Sequence, residues 1–235
     1  MQLYPRALLA LMLLTCLCPA QGRRRRSEPK PLEHLTWQTR SVESKALGGE
    51  IQFCYLAPKY LMDGETLPLV LWLHGMRKDH TEFYRRGGAS VVDKMVGSGA
   101  IPRVIFVTAN GRRSFYTNGF QGGLWEDMVR KDLVAEAVAN LQASKDPKQH
   151  GIMGISMGGM GALKIAMKHP EEFAAVATHS AAVFPEDPAE LSGRLQQAVK
   201  WLGRDVGYGD PIDPKIWARE NRLNLALNLD PEKVG

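Results

Sequence analysis

His150-Gly151-Ile152-Met153-Gly154-Ile155-Ser156-Met157-Gly158-Gly159-Met160-Gly161 is the stretch that decides the fold. Its first six residues read as a short strand. A helix follows from about Gly158 to Lys168 and is ended by His169-Pro170, because the residue before a proline is pushed out of the helical region. Between strand and helix, Gly154-Ile155-Ser156-Met157-Gly158 has the form G-x-S-x-G, in which a serine sits on a strained turn. Small residues two before and two after the serine let the backbone turn without side-chain collision and leave the hydroxyl exposed above a sheet. An ordinary tight turn is the plainer account of the same five residues. The strand before, the helix after, and Gly159 and Gly161 extending the close approach of helix to strand favour a nucleophile.

Working outward, Leu67-Pro68-Leu69-Val70-Leu71-Trp72-Leu73 and Val104-Ile105-Phe106-Val107 are nearly continuous apolar runs, the mark of parallel strands covered on both faces. Ala174 to Ala177 gives one more. Trp125, Val129, Leu133, Ala137 and Leu141 fall four apart with charged residues between them, which predicts an amphipathic helix packed on the sheet. Alternation from Thr36 to Leu56 predicts two antiparallel strands turned at Gly48-Gly49, a solvent-facing sheet edge. The order strand, helix, strand, helix, strand is that of a doubly wound α/β domain with a mostly parallel sheet. From Phe184 to Gly235 the chain is rich in Pro, Asp and short amphipathic pieces, including Leu195 to Leu202. That stretch reads as a helical excursion over the sheet, with no further buried strand.

A chain of 235 residues with 44% hydrophobic and 23% charged residues suits one globular domain. The first twenty residues stand apart. Arg6 precedes an apolar run from Ala7 to Cys18, then Pro19-Ala20. Twelve such residues fit a signal peptide and fall short of the roughly 20 needed to span a bilayer. A single-span anchor is the alternative, and a secreted or periplasmic location is expected. Residues 21 to 34, charged and holding Pro29 and Pro31, read as a disordered basic leader, so the domain is expected to run from 35 to 235. The formal net charge of +5 is carried by Arg6 and by Arg23 to Arg26, leaving the remainder balanced. A nucleic-acid partner is therefore not expected. Of three cysteines, Cys16 and Cys18 leave with the signal, and Cys54 stays as a small packed apolar group.

Attack by a serine needs donors aimed at the developing oxyanion. The backbone N–H after the nucleophile, Met157, is one candidate. Leu73-His74-Gly75-Met76 ends the best buried strand, and Met76 N–H is the second. His74 is then a loop-shaping residue; its reading as a base or ligand lacks a second His at metal spacing. No metal or organic cofactor is implied.

These residues carry a resemblance. The chain from about 36 to 183 resembles the esterase family that includes esterase D, secreted feruloyl and acetyl esterases, and mycolyltransferases of the antigen 85 type. The likeness rests on Leu73-His74-Gly75-Met76, Ser114-Phe115-Tyr116-Thr117, Trp125-Glu126-Asp127, and Gly154 through Leu163 followed by His169-Pro170-Glu171-Glu172-Phe173. It implies an α/β-hydrolase-type sheet and an exported serine esterase working through an acyl-enzyme on Ser156. The substrate would be a small-molecule or polysaccharide-linked ester. By analogy Tyr116 and Trp125 are walls of the acyl site; as core aromatics they are read equally well.

One departure accompanies the resemblance. In the family the acid and the histidine follow two further strands, in the chain order Ser, acid, His. Here the chain is expected to be C-terminally truncated, lacking the last strands, and inactive by itself. Beyond Ser156 stand His169, at a helix end, and His179, which closes a strand and is the one candidate for a substitute base. Acyl transfer to a sugar hydroxyl and a non-catalytic exported binding protein of the same fold remain the alternatives.

Overall fold

The computed structural model describes residues 31–119, 123–181, 184–193, 196–197, 199, 208–209 and 211–221. The signal and most of the leader lie outside the described residues, as does most of Leu195 to Leu202. Two strands, β1 (Leu35–Ser44) and β2 (Gly49–Pro58), form the expected hairpin, with Val42 opposite Ile51 and Gly48 turning the chain at φ 65°. β2 runs antiparallel to β4 (Ile105–Ala109), and β3 (Leu69–Leu73), β5 (His150–Ile155) and β6 (Ala175–His179) complete a parallel block. The order across the sheet is β1-β2-β4-β3-β5-β6. Of the two hairpin strands, β1 alone has the solvent-facing middle expected of an edge, since β2 is buried over its second half by its place between β1 and β4.

Alternation along the strands sorts the two faces. Leu69, Leu71, Leu73, Ile105 and Val107 point to the larger cluster, packed under α5 (Met157–Lys168) and the helix that starts at Trp125. Leu56 and Phe106 point to the other face, under Ala89 and Val92 of α2 (Gly88–Gly97). Each fully buried Leu or Ile contributes roughly 1.5–3 kcal/mol. The short α1 (Glu82–Arg85) and α2, which fill the crossover from β3 to β4, were not read from the sequence, although Ala89, Val92 and Val96 of α2 share its packed face.

The helix expected from Trp125 to Leu141 is present as α3 (Trp125–Asp127), a π-helical stretch Met128–Leu133, and α4 (Val134–Asn140). The wider π turn has a cause legible in the spacing. Apolar residues four apart drift around a 3.6-residue helix, and a stretch of i→i+5 bonding brings them back to one face. Trp125, Val129, Leu133, Ala137 and Leu141 are all buried accordingly.

The N-terminal end of the domain differs from the expectation. Glu33 and His34, assigned by composition to the leader, are held: the Asp93 carboxylate accepts the N–H groups of Glu33, His34 and Leu35 at 2.9, 2.9 and 2.8 Å. Burial opposes ionisation of Asp93, but these three donors keep its carboxyl below the usual range. At the other edge all five residues of β6 are exposed, Val176 among them. Beyond β6 no strand occurs among the described residues; α6 (Pro214–Glu220), capped by Asp213, brings Trp217 into the core beside Phe184 and Tyr208. No described helix is long and apolar enough to cross a membrane.

Candidate active site

The parallel strands end at one edge of the sheet, and the residues following β3, β4 and β5 meet there, where open α/β sheets bind their ligands. Ser156 joins β5 to α5 with φ 55° and ψ −115°, far from the regions an L-residue prefers. Its side chain is exposed while Met157 to Ala162 behind it are buried. The flanking glycines are required by contact. A Cβ on Gly154 would lie 2.4 Å from Gly158 C, and one on Gly158 would lie 2.0 Å from Leu73 O. Backbone therefore packs on backbone under the serine. The Ser156 N–H donates to His179 O at 2.9 Å, tying the turn to the end of β6.

Gly75 abuts this turn, with its Cβ position 3.7 Å from Ser156 Cβ. His74 organises the loop. Gly111 N–H donates to its Nε2 at 3.0 Å, so that nitrogen carries the lone pair, and Nδ1–H donates to Gly75 O at 2.8 Å. Burial holds the imidazole below its ordinary pKa, hence neutral, as this pattern requires. In a trans peptide C=O and N–H point in opposite directions. With the Gly75 carbonyl turned to His74, Met76 N–H points away from that ring. Met157 N–H, in the first turn of α5, has no partner four residues back. Glu82 closes the loop, accepting Gly75 N–H at 3.1 Å and pairing with Arg86 at 2.8 Å.

Tyr116 is fully buried. Its hydroxyl donates to His74 O at 3.3 Å and its ring lies against Gly111 and Gly161. Phe115 and Tyr116 both have left-handed backbones, φ 53° and 52°. Such residues persist where surroundings over-determine them. Here Ser114 Oγ accepts Tyr116 N–H at 3.0 Å, and Lys164 Nζ donates to Tyr116 O at 2.7 Å and Thr117 Oγ1 at 3.0 Å. Trp125 is also buried, with the Arg112 guanidinium 5.7 Å from its ring centre.

Lys164 belongs to a buried ionic cluster that sequence reasoning missed. It pairs with Glu220 of α6 at 2.8 Å and with Glu126 at 3.7 Å, all three nearly sealed from solvent; Lys168 reaches Glu126 at 2.7 Å and Glu220 at 3.3 Å. His169 Nε2 meets Glu126 at 2.9 Å. Burial alone would raise the Glu126 pKa, but His169, Lys164 and Lys168 outweigh it and bring it down to about 2. Glu220 is likewise lowered, against its burial, by Lys164 and Lys168. The available signal was a lysine inside the apolar run Ala162-Leu163-Lys164-Ile165-Ala166.

His179 stands exposed at the end of β6, opposite Ile155 in register, and reaches Ser156 through its backbone carbonyl. Among the described residues no histidine is hydrogen-bonded to the Ser156 hydroxyl. His169, Glu171 and Glu172 place ligand-type atoms within 4.8 Å of one another, but Glu172 is clasped by Arg130 and His169 by Glu126.

The family model described as "Putative esterase" matches residues 44–229. An esterase of Mycobacterium tuberculosis (strain ATCC 25618 / H37Rv) is 28% identical over 186 residues, which are 74% of this chain. The chain spans only 39% of that relative's length. Among solved structures, a ferulic acid esterase superposes with TM-score 0.66 at 22% identity, covering 85% of this chain and 74% of its own. MPT51 of Mycobacterium tuberculosis superposes with TM-score 0.60 at 19% identity, covering 81% and 68%. At these identities the two structures speak for the shared α/β fold.

Proposed function

Because this chain belongs to the Putative esterase family, we propose that it cleaves carboxylic esters through an acyl-enzyme on Ser156. The observation that carries the proposal is Ser156 itself: an exposed hydroxyl on a strained strand-to-helix turn, with Gly75 of the β3 loop at its side. In the first step Ser156 Oγ bonds to the ester carbonyl carbon and its proton passes to a base. The oxyanion forms between Met157 N–H and Met76 N–H, and the alcohol departs with a proton as the C–O bond breaks. Water then repeats the sequence and releases the acid. Tyr116 acts from behind, holding the His74 carbonyl and with it the loop that presents Met76.

The base is the open part. His179 is one candidate. The other is a histidine, oriented by an acid, on polypeptide that covers the exposed edge of β6. Without a base near Ser156 the serine is a poor nucleophile, and the surviving rate, roughly 10³–10⁴-fold over water, comes from binding and the oxyanion hole. Export is proposed from the signal-like residues 1–20, with transfer to a sugar hydroxyl as the rival to hydrolysis.

The test is labelling of the native protein with a fluorophosphonate, followed by peptide mapping. Modification at Ser156, absent in Ser156→Ala, is the expected result. An unlabelled Ser156 in native protein would sink the esterase and leave a binding protein of the same fold. Where labelling succeeds, products formed with and without an added polyol separate hydrolase from transferase.

A further inference from the structure

The backbone that leaves β3 folds back on itself at once. Lys78 N–H donates to Gly75 O at 3.2 Å, closing a four-residue turn with Met76 and Arg77 at its centre. Arg77, in the third position, has φ 59°, the left-handed conformation that a type II turn requires there and that a residue other than glycine adopts at a cost. Gly75 O thus accepts two donors, Lys78 N–H and, at 2.8 Å, His74 Nδ1–H. The N–H of the second residue in such a turn lies outside the closing hydrogen bond. That residue is Met76, whose N–H is assigned to the oxyanion.

Gly75 is the pivot between two peptide planes, and glycine is the residue whose backbone turns most freely. Its Cβ position lies 3.5 Å from Ile155 O and 3.7 Å from Ser156 Cβ, so any turn of these planes is felt at the nucleophile. The plane after Gly75 is fixed by the two donors on its carbonyl. The plane before it is fixed from α1. Glu82 Oε2 accepts Gly75 N–H at 3.1 Å, while Oε1 takes Arg86 Nε at 2.8 Å. On the other side of the same plane His74 O receives only the longer contact from Tyr116, at 3.3 Å. Glu82 is 5% exposed and Arg86 60% exposed. A carboxylate withdrawn from water in this way is costly unless its oxygens are satisfied, and here one of them is spent on a loop backbone N–H. We propose that Glu82 is a positioning residue for acyl transfer: by occupying Gly75 N–H it keeps that peptide from turning toward the oxyanion and leaves Met76 N–H aimed there. The proposal rests on Ser156 as nucleophile.

The full chain and its variants Glu82→Gln and Glu82→Leu are labelled with a fluorophosphonate over a range of concentrations, which separates the rate constant at saturation from the half-saturating concentration. Leucine leaves Gly75 N–H without its acceptor. Since outright loss of one oxyanion donor costs roughly 10²–10³ in rate, a misaimed one should cost at least about tenfold at saturation, with half-saturation unchanged. Glutamine keeps an oxygen acceptor at the same place and restores most of the rate. A leucine variant that labels as fast as the unaltered protein overturns the proposal. So does a glutamine variant that falls as far as leucine, or a loss confined to half-saturation.

A second measurement needs no variant. Phosphonylated Ser156 carries an oxygen where the oxyanion would stand, so in protein with isotope-labelled glycine and methionine the Met76 amide resonance should move more on labelling than that of Gly75. A larger movement at Gly75 overturns the proposal whether or not the leucine variant folds. An inert Ser156 in the unaltered protein sinks the esterase and this role with it, whereas a reactive Ser156 indifferent to Glu82 removes the role and leaves the esterase standing.

Discussion

Helix α5 is anchored differently at its two ends. At the N-terminal end, under Ser156, backbone meets backbone: Gly154 touches Gly158, and Gly158 touches Leu73 O. At the other end Lys164, Lys168 and His169 are held by the Glu126 and Glu220 carboxylates. The first anchor has no titratable group and no side-chain freedom. The second is made of charges removed from water, stable only while all partners are present and ionised. The reactive end of the helix is thus insulated from pH, and the end that carries α6 is not.

Breaking the ionic end should have the largest effect. Lys164→Met strips the buried Glu220 of its main counter-charge and Glu126 of one of three cationic partners, and costs about 3–5 kcal/mol, read by urea denaturation. Lys164→Met/Glu220→Leu should recover part of that, since replacing a buried pair outright removes the stranded charge. If the single variant loses less than about 1 kcal/mol, the cluster is not the anchor described.

Acid comes next. Glu126 has its folded pKa lowered from the ordinary carboxylate range to about 2. A lowered folded pKa means that the unfolded chain takes up the proton first. The contribution is complete above the unfolded value near pH 4.3 and is lost as pH falls toward about 2. For this coupled group it amounts to on the order of 3 kcal/mol. Stability measured between pH 5 and 2.5 should fall steeply in the unaltered protein and less steeply in Glu126→Gln. Equal slopes would detach the acid response from the cluster.

The steric end gives the third contrast. Gly158→Ala places a methyl 2.0 Å from Leu73 O, and overpacking of that kind costs roughly 1–3 kcal/mol. Its acid slope should match that of the unaltered protein, while Ser156 labelling slows because the turn has shifted. A variant that changes the slope as much as Glu126→Gln would break the distinction between the two ends.

The same contrast explains what was legible in the sequence. The close-packed end was, because Gly154, Ser156 and Gly158 fall within five successive residues and their spacing is the geometry. β3, β4 and β6 announced themselves as apolar runs for the same local reason. The ionic end was not, since Glu126, Lys164 and Glu220 are brought together only by the fold, and two glutamates far apart in sequence look like solvated charges. The π-helical turn lay in between, marked by a spacing of four that the helical reading absorbed without comment.

Tyr116 connects the two ends, and it supplies the smallest and sharpest test. Its carbonyl receives Lys164 Nζ from the ionic cluster, and its hydroxyl donates to His74 O in the loop beside Ser156. Tyr116→Phe removes one long hydrogen bond and should cost only about 0.5–1.5 kcal/mol, with no change in acid slope. The informative quantity is the labelling rate of Ser156 in a cycle with Lys164→Met. If the cluster steadies the loop through Tyr116, the double variant labels no more slowly than the slower single variant, because the second change cuts a link already severed. If the two ends are independent, the effects multiply within the usual error of additivity. That second outcome would confine the cluster to stability and leave His74, Glu82 and Gly111 as the loop's own support.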